Sequence, residues 1–267
     1  MSSHKSASAV YFSHGGGPLP LLGDGSHAAM VDFMKHLPGI IKKPDSIIVV
    51  SAHWEENRTT VLSNPSPPML YDYFGFPDQA YNIKYPARGN PDLAGRIVSE
   101  LEKQGITAAE EPDRGFDHGL FIPLKIMYPK ADIPSIQLSL IGGLDPAAHL
   151  ELGKALQLLK NENILLIGSG FSFHNMQAFS WKGGHRADEA NNSFQNWLID
   201  TCTGEHTENE RLKRLENWEQ APAARYCHPR EEHLIPIHIC QAFAETAAEL
   251  VFDDYILGKR SVAFIWH

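Results

Sequence analysis

Residues 45–54, DSIIVVSAHW, limit what this chain can fold into more than any other stretch. A β-branched apolar run with Pro44 before it predicts a buried strand, and this strand carries His53 to its end. Upstream, residues 9–15 (AVYFSHG) predict a second buried strand that ends at His14. Between the two, residues 26–37 have helical spacing, with Ser26 as the cap. Strand, helix and strand in that order predict a βαβ unit with parallel pairing.

The pattern continues along the chain. Strands are expected at 133–140, 164–175 and 261–267. Helices are expected at about 91–104, 145–163, 186–202, 208–220 and 231–250. Residues 64–91 are rich in proline and aromatic residues and lack periodicity, which suits a pocket wall or lid. The chain has 267 residues, 43% of them hydrophobic, with neither repeat nor linker. That composition supports one α/β domain over residues 1–267, with a central mixed, mainly parallel sheet flanked by helices. Such sheets bind ligands outside the carboxyl ends of their strands.

Charge and cysteine content narrow the partners. A net charge of −9 argues against nucleic acid and against an anionic membrane surface. No run of roughly 18 apolar residues is present, so no spanning helix is expected. The first residues, MSSHKSASAVYF, lack the apolar core of a signal peptide. Cys202, Cys227 and Cys240 form no CxxC pair, and so sparse a set fits reduced thiols in a cytoplasmic protein.

The 14 histidines carry most of the chemical information. Three predicted strands end near His14, His53 and His174. His118 lies in a predicted loop, DRGFDHGLFIP, and His233 opens a predicted apolar helix in CHPREEHLIPIH. A lone histidine is usually structural, but five at one edge of a sheet point to at least three in a single metal site. Asp117 and Glu232, each beside one of them, could orient an imidazole. The other histidines, His27, His149, His185, His206 and His228, read as surface or structural residues.

Rival readings of HGGG (14–17) lack their partners. An esterase oxyanion loop needs a GxSxG elbow, and the nearest approach, GFSFH, ends in a histidine. A phosphate cradle needs GxxxxGK[ST] or GxGxxG, and neither occurs. The HExxH motif of zinc proteases is absent as well, with Pro236 standing between His233 and His238. A metal ligand remains, with the glycines letting a substrate come close to the ion.

The blocks SHGGGP (13–18), SAHWE (51–55), FDHGLFIPL (116–124), GSGFSFHN (168–175) and REEHLIPI (230–237) together resemble one family. It is the DODA-type (4,5-DOPA) extradiol ring-opening dioxygenases, related to the catalytic subunit of protocatechuate 4,5-dioxygenase. The resemblance implies a single α/β domain with one divalent metal, acting on a catechol such as 4,5-DOPA and on O2. It implies His14, His53 and His233 as metal ligands, with His174 beside the metal as acid/base or fourth ligand. It implies His118 as a second acid/base or substrate-binding group. In the wider class the third ligand is a carboxylate, which Glu231 or Glu232 could supply, but His233 holds the matching position. Fe(II) is expected for ring cleavage, and Zn(II) in purified protein. Trp54 and the 64–91 segment would wall the pocket, and a monomer or small homo-oligomer is expected. The alternatives are a zinc-dependent hydrolase on the same histidines and a non-catalytic interaction module of the same fold.

Overall fold

A computed structural model describes residues 8–181, 184 and 187–267, which leaves His185 outside the described residues. One mixed sheet runs through the molecule. Its eight strands are β1 (Ala9–Ser13), β2 (Ser46–Glu56), β3 (Thr59–Leu62), β4 (Ala108–Glu111), β5 (Ser135–Ile141), β6 (Ile164–Gly170), β7 (Glu249–Ile256) and β8 (Lys259–Trp266). The order across the sheet is β4-β3-β5-β2-β6-β1-β8-β7. The four central strands, β5, β2, β6 and β1, are parallel, whereas β8 joins β1 antiparallel and β3 meets β5 antiparallel. Strands β1 and β6 are buried along their whole length, which is why they read as unbroken apolar runs.

The helices are α1 (Ala28–His36), α2 (Pro91–Lys103), α3 (His118–Met127), α4 (Pro146–Ala155), α5 (Glu189–Thr203), α6 (Glu208–Glu216), α7 (Ala224–Cys227) and α8 (Pro236–Ala244). They cover both faces of the sheet, and β6 shows how. Ser169 turns towards α3, where its hydroxyl meets the Gly119 carbonyl. Its neighbour Gly168 faces α8, where an added Cβ would lie 2.8 Å from Cys240 Sγ. Side chains alternate along a strand, so α3 and α8 lie on opposite faces. All three cysteines are buried and unpaired. Among the described residues no helix is long and apolar enough to cross a membrane.

Several expectations need correction. β1 and β2 run parallel but do not pair, because β6 is inserted between them. The stretch DRGFDHGLFIP (113–123) is not a loop beyond Asp117: His118 is the first residue of α3, a helix buried at every position but Lys125. β6 stops at Gly170, leaving His174 in the loop beyond it. The expected helix 231–250 divides into a turn at 232–235, α8, and then β7. Glu245 closes α8 in the left-handed conformation, and β7 turns into β8 through Leu257 and Gly258, both at positive φ. Short β3 and β4 were not expected at all.

Candidate metal centre

The histidines converge at the carboxyl ends of β1, β2 and β6. His14 follows β1 directly, and its backbone N–H continues the ladder to the Gly170 carbonyl. His53 lies inside β2, at a bulge: Val50 pairs with Leu138, but the next pair with β5 is Glu55 with Leu140. The intervening residues swing out of register and aim His53 at the cavity, a common use of a bulge at a functional site. Trp54 alternates to the other face, under Arg114 and hydrogen-bonded to Glu56, so it does not wall this cavity.

His233 arrives from the opposite end of the chain. Its carbonyl accepts from the Phe171 N–H at 2.9 Å and from the Tyr11 hydroxyl at 3.0 Å. Gly170 makes this possible, since a Cβ there would stand 2.1 Å from the His233 carbonyl oxygen. Glycine within a strand here marks a close backbone approach, not a nucleophile turn.

The imidazoles are oriented from behind. The Ser169 hydroxyl donates its one proton to the Gly119 carbonyl at 2.5 Å, so toward His14 Nδ1, 3.0 Å away, it can only accept. Pro123 explains why Gly119 is available: proline has no N–H for the carbonyl four residues earlier in α3. His14 therefore carries its proton on Nδ1 and presents a bare Nε2. His233 Nδ1 donates to Glu232 Oε1 at 2.9 Å, which leaves its Nε2 bare as well. The Nε2 atoms of His14 and His53 are 2.9 Å apart, and those of His53 and His233 are 3.3 Å apart. One proton on His53 could satisfy at most one of these contacts.

Three ring nitrogens this close, with at most one proton among them, form an arrangement a cation resolves. Ligands at about 2.05 Å from a common ion stand about 2.9 Å apart at right angles and about 3.3 Å apart at tetrahedral angles. The donor atoms of His14, His53 and His233 all lie within 4.8 Å of one another. Burial, and then the neighbouring imidazoles, hold all three well below the ordinary histidine pKa. They are neutral at pH 7, the form that binds a metal. The donor set fits a divalent ion.

His118 and His174 flank this trio on opposite sides. His118 lies 3.8 Å, ring centre to ring centre, from His53, while His174 stacks on His233 at 3.4 Å. His174 Nδ1 faces the same Glu232 oxygen at 3.2 Å, so Glu232 supports two rings at once. It does so from the Nδ1 side, away from the Nε2 cluster, and Glu231 is tied to Arg225. His118 is held by Asp72, which accepts from its Nδ1 at 2.8 Å and from its backbone N–H at 3.0 Å. Burial works to raise the Asp72 carboxyl, but the contacts with His118 and then His53 bring it below the usual carboxylate value.

Asp117 does not touch an imidazole: it is fully buried and accepts from Ser51 and Arg114 at the start of α3. Asp72, Ser169 and Pro123 were missed by the sequence reading. The glycines after His14 serve the loop more than the ligand. Gly15 and Gly17 take positive φ, and a Cβ on Gly15 would press on Pro20 and His27. His27 is a structural residue, accepting from the Gly16 N–H and donating to Asp24. His149 and His228 are buried among backbone partners, and His206 faces Asp200, all apart from the cluster.

A cavity of about 310 Å³ opens over the five histidines. The 64–91 segment walls it through Tyr73, Phe74 and Phe76, as its composition suggested.

Comparison with known proteins agrees with this architecture. A crystal structure of an uncharacterized Escherichia coli K12 protein superposes with a TM-score of 0.79 at 26% identity, covering 98% of this chain and 100% of that one. A "Dioxygenase tasH" of Hapsidospora irregularis is 34% identical over 276 residues, 97% of this chain and 85% of the relative. A "4,5-DOPA dioxygenase extradiol" of Beta vulgaris is 38% identical over 225 residues, 82% of this chain and 81% of the relative. Residues 20–264 match the family described as the catalytic LigB subunit of aromatic ring-opening dioxygenase, and the chain belongs to that family.

Proposed function

We propose that this protein opens the ring of a catechol beside its hydroxyls, with O2 as co-substrate and one divalent metal held by His14, His53 and His233. The observation that carries the reading is the convergence of the Nε2 atoms of His14, His53 and His233 beneath a cavity flanked by two further histidines. Fe(II), when bound, supplies the electron transfer from substrate to O2 that Zn(II) has no redox chemistry to provide.

The chain's own residues bind, orient and move protons. His174 has its Nδ1 toward Glu232, so its Nε2 is free to take a proton from the entering catechol hydroxyl. Glu232 then stabilises the imidazolium until the proton is returned. His118, anchored by Asp72, presents its other nitrogen to the second hydroxyl or to O2. The aromatic walls limit water around the reacting atoms.

The test is O2 uptake with L-DOPA and simpler catechols after anaerobic loading with Fe(II) or Zn(II), together with the absorbance of a ring-opened product. Uptake with Fe(II) alone, lost in His14→Ala and His233→Ala, is expected. Silence with every catechol under Fe(II) would overturn the proposal and favour zinc-dependent hydrolysis on the same site.

A further inference from the structure

The cavity beyond the histidines is apolar in a way that constrains what the catechol carries. One wall is Tyr73, Phe74 and Phe76; the other is Met176, Phe179 and Trp181; Leu257 reaches in from the turn between β7 and β8. The aromatic residues pack as two continuous groups. Tyr73 lies 5.5 Å from Phe76 on the side of His118, and Phe179 lies 5.5 Å from Trp181 on the side of His174.

The side-chain N–H and O–H groups of these walls are already engaged. The Tyr73 hydroxyl donates to the Ala80 carbonyl at 2.7 Å, and the Trp181 indole donates to the Met176 carbonyl at 3.3 Å. Among the described lining residues the histidines and Tyr73 are the sole titratable side chains, and none is an acid, a lysine or an arginine. At the mouth, Phe74 is 91% exposed, Met176 53% and Trp181 49%. Large apolar side chains left this open around a pocket mark a surface meant to be covered.

From this we infer that the preferred substrate is a catechol with an apolar substituent, alkyl or aryl, and not one ending in a carboxylate or an amino acid. The inference rests on the ring-cleavage reading above. With the hydroxyls at the histidines, the ring substituent extends between the two aromatic walls. An apolar group there covers Phe74, Met176 and Trp181 and gains their contact. A carboxylate or ammonium group there would lose water and meet no counter-ion among the described walls. The cavity's modest volume fits a catechol with one compact substituent, up to the size of a second ring.

The experiment compares kcat/KM of the Fe(II)-loaded protein for 4-ethylcatechol, 4-tert-butylcatechol and 4-phenylcatechol with that for L-DOPA and 3,4-dihydroxyphenylacetate. The apolar series is expected to lead by at least about tenfold. Phe74→Lys, a change at a solvent-facing side chain, should narrow the gap. Equal or better turnover of the charged catechols would overturn the inference while leaving the dioxygenase reading intact. If every catechol is inert, that reading falls instead. Anaerobic binding, read by quenching of tryptophan fluorescence, then decides the pocket's preference alone: tighter binding of 4-tert-butylcatechol than of L-DOPA upholds it, and the reverse ends it.

Discussion

At the scale of residues, the relay from Pro123 through Gly119 and Ser169 to His14 sets the protonation of a proposed ligand from one turn deep inside α3. Ser169→Ala removes the acceptor for His14 Nδ1, and metal affinity should fall about 10- to 100-fold. Competition against a chromophoric chelator would measure it, with unchanged far-UV circular dichroism as the control. Pro123→Ala should shift affinity the same way by a smaller factor, because a restored N–H competes with Ser169 for the Gly119 carbonyl. Unchanged affinity in both variants would end the relay argument. Asp72→Ala should lower kcat about 100-fold by releasing His118, with metal content retained and partial recovery in Asp72→Asn. Equal activity of the alanine variant and the parent protein would remove His118 from proton handling. The five histidines were legible because each sits in a short motif at or near a strand end or helix start. Asp72 and Ser169 were not, because their meaning comes from partners 46 and 155 residues away.

At the scale of elements, the glycines of β6 let His233 reach the site. A methyl group on Gly170 would overlap the His233 carbonyl, and backbone cannot yield as a flexible side chain can. Gly170→Ala should therefore cost about 3 kcal/mol and reduce metal binding with it, read as a lower urea midpoint and a lower metal content. Gly25→Ala, where nothing lies within 4 Å of the added carbon, should change either quantity far less. A neutral Gly170→Ala would mean that the close approach is dispensable. The GSG run was visible in the sequence, but what it approaches was not. The central strands were readable for a simple reason: burial on both faces leaves unbroken apolar runs. β4, AAEE, carries no such signal, because pairing with β3 alone makes it a strand. α3 was hidden by the same burial that made the strands plain, since a helix buried on nearly every side, with a glycine and a proline inside it, offers little helical signal.

At the scale of the whole molecule, buried neutral histidines couple stability to pH. Burial pushes His228 down to about 3 and His238 down to about 4, whereas both return to about 6.5 in the unfolded chain. Between these values only the unfolded chain takes up the proton, so stability is full above about pH 6.5 and is lost as pH falls toward 3. Urea midpoints at pH 7 and pH 5 should show the lower value at pH 5, and His228→Gln should flatten the difference. A midpoint that rises on acidification would contradict the assignment. The arrangement of the sheet also has a consequence for synthesis. β1 leads directly into His14 and is made before its two neighbours in the sheet, β6 and β8, and Ala9 pairs with Trp266. An apolar strand thus leaves the ribosome long before either partner exists, which exposes it to chaperones and to aggregation. His233 is made long after His14 and His53, so the three imidazoles meet only once most of the sheet has been synthesised. The ion that the proposed site takes is then the one at hand when β6 and the His233 segment close on β1, which makes metal identity a property of the cell at that moment as much as of the fold.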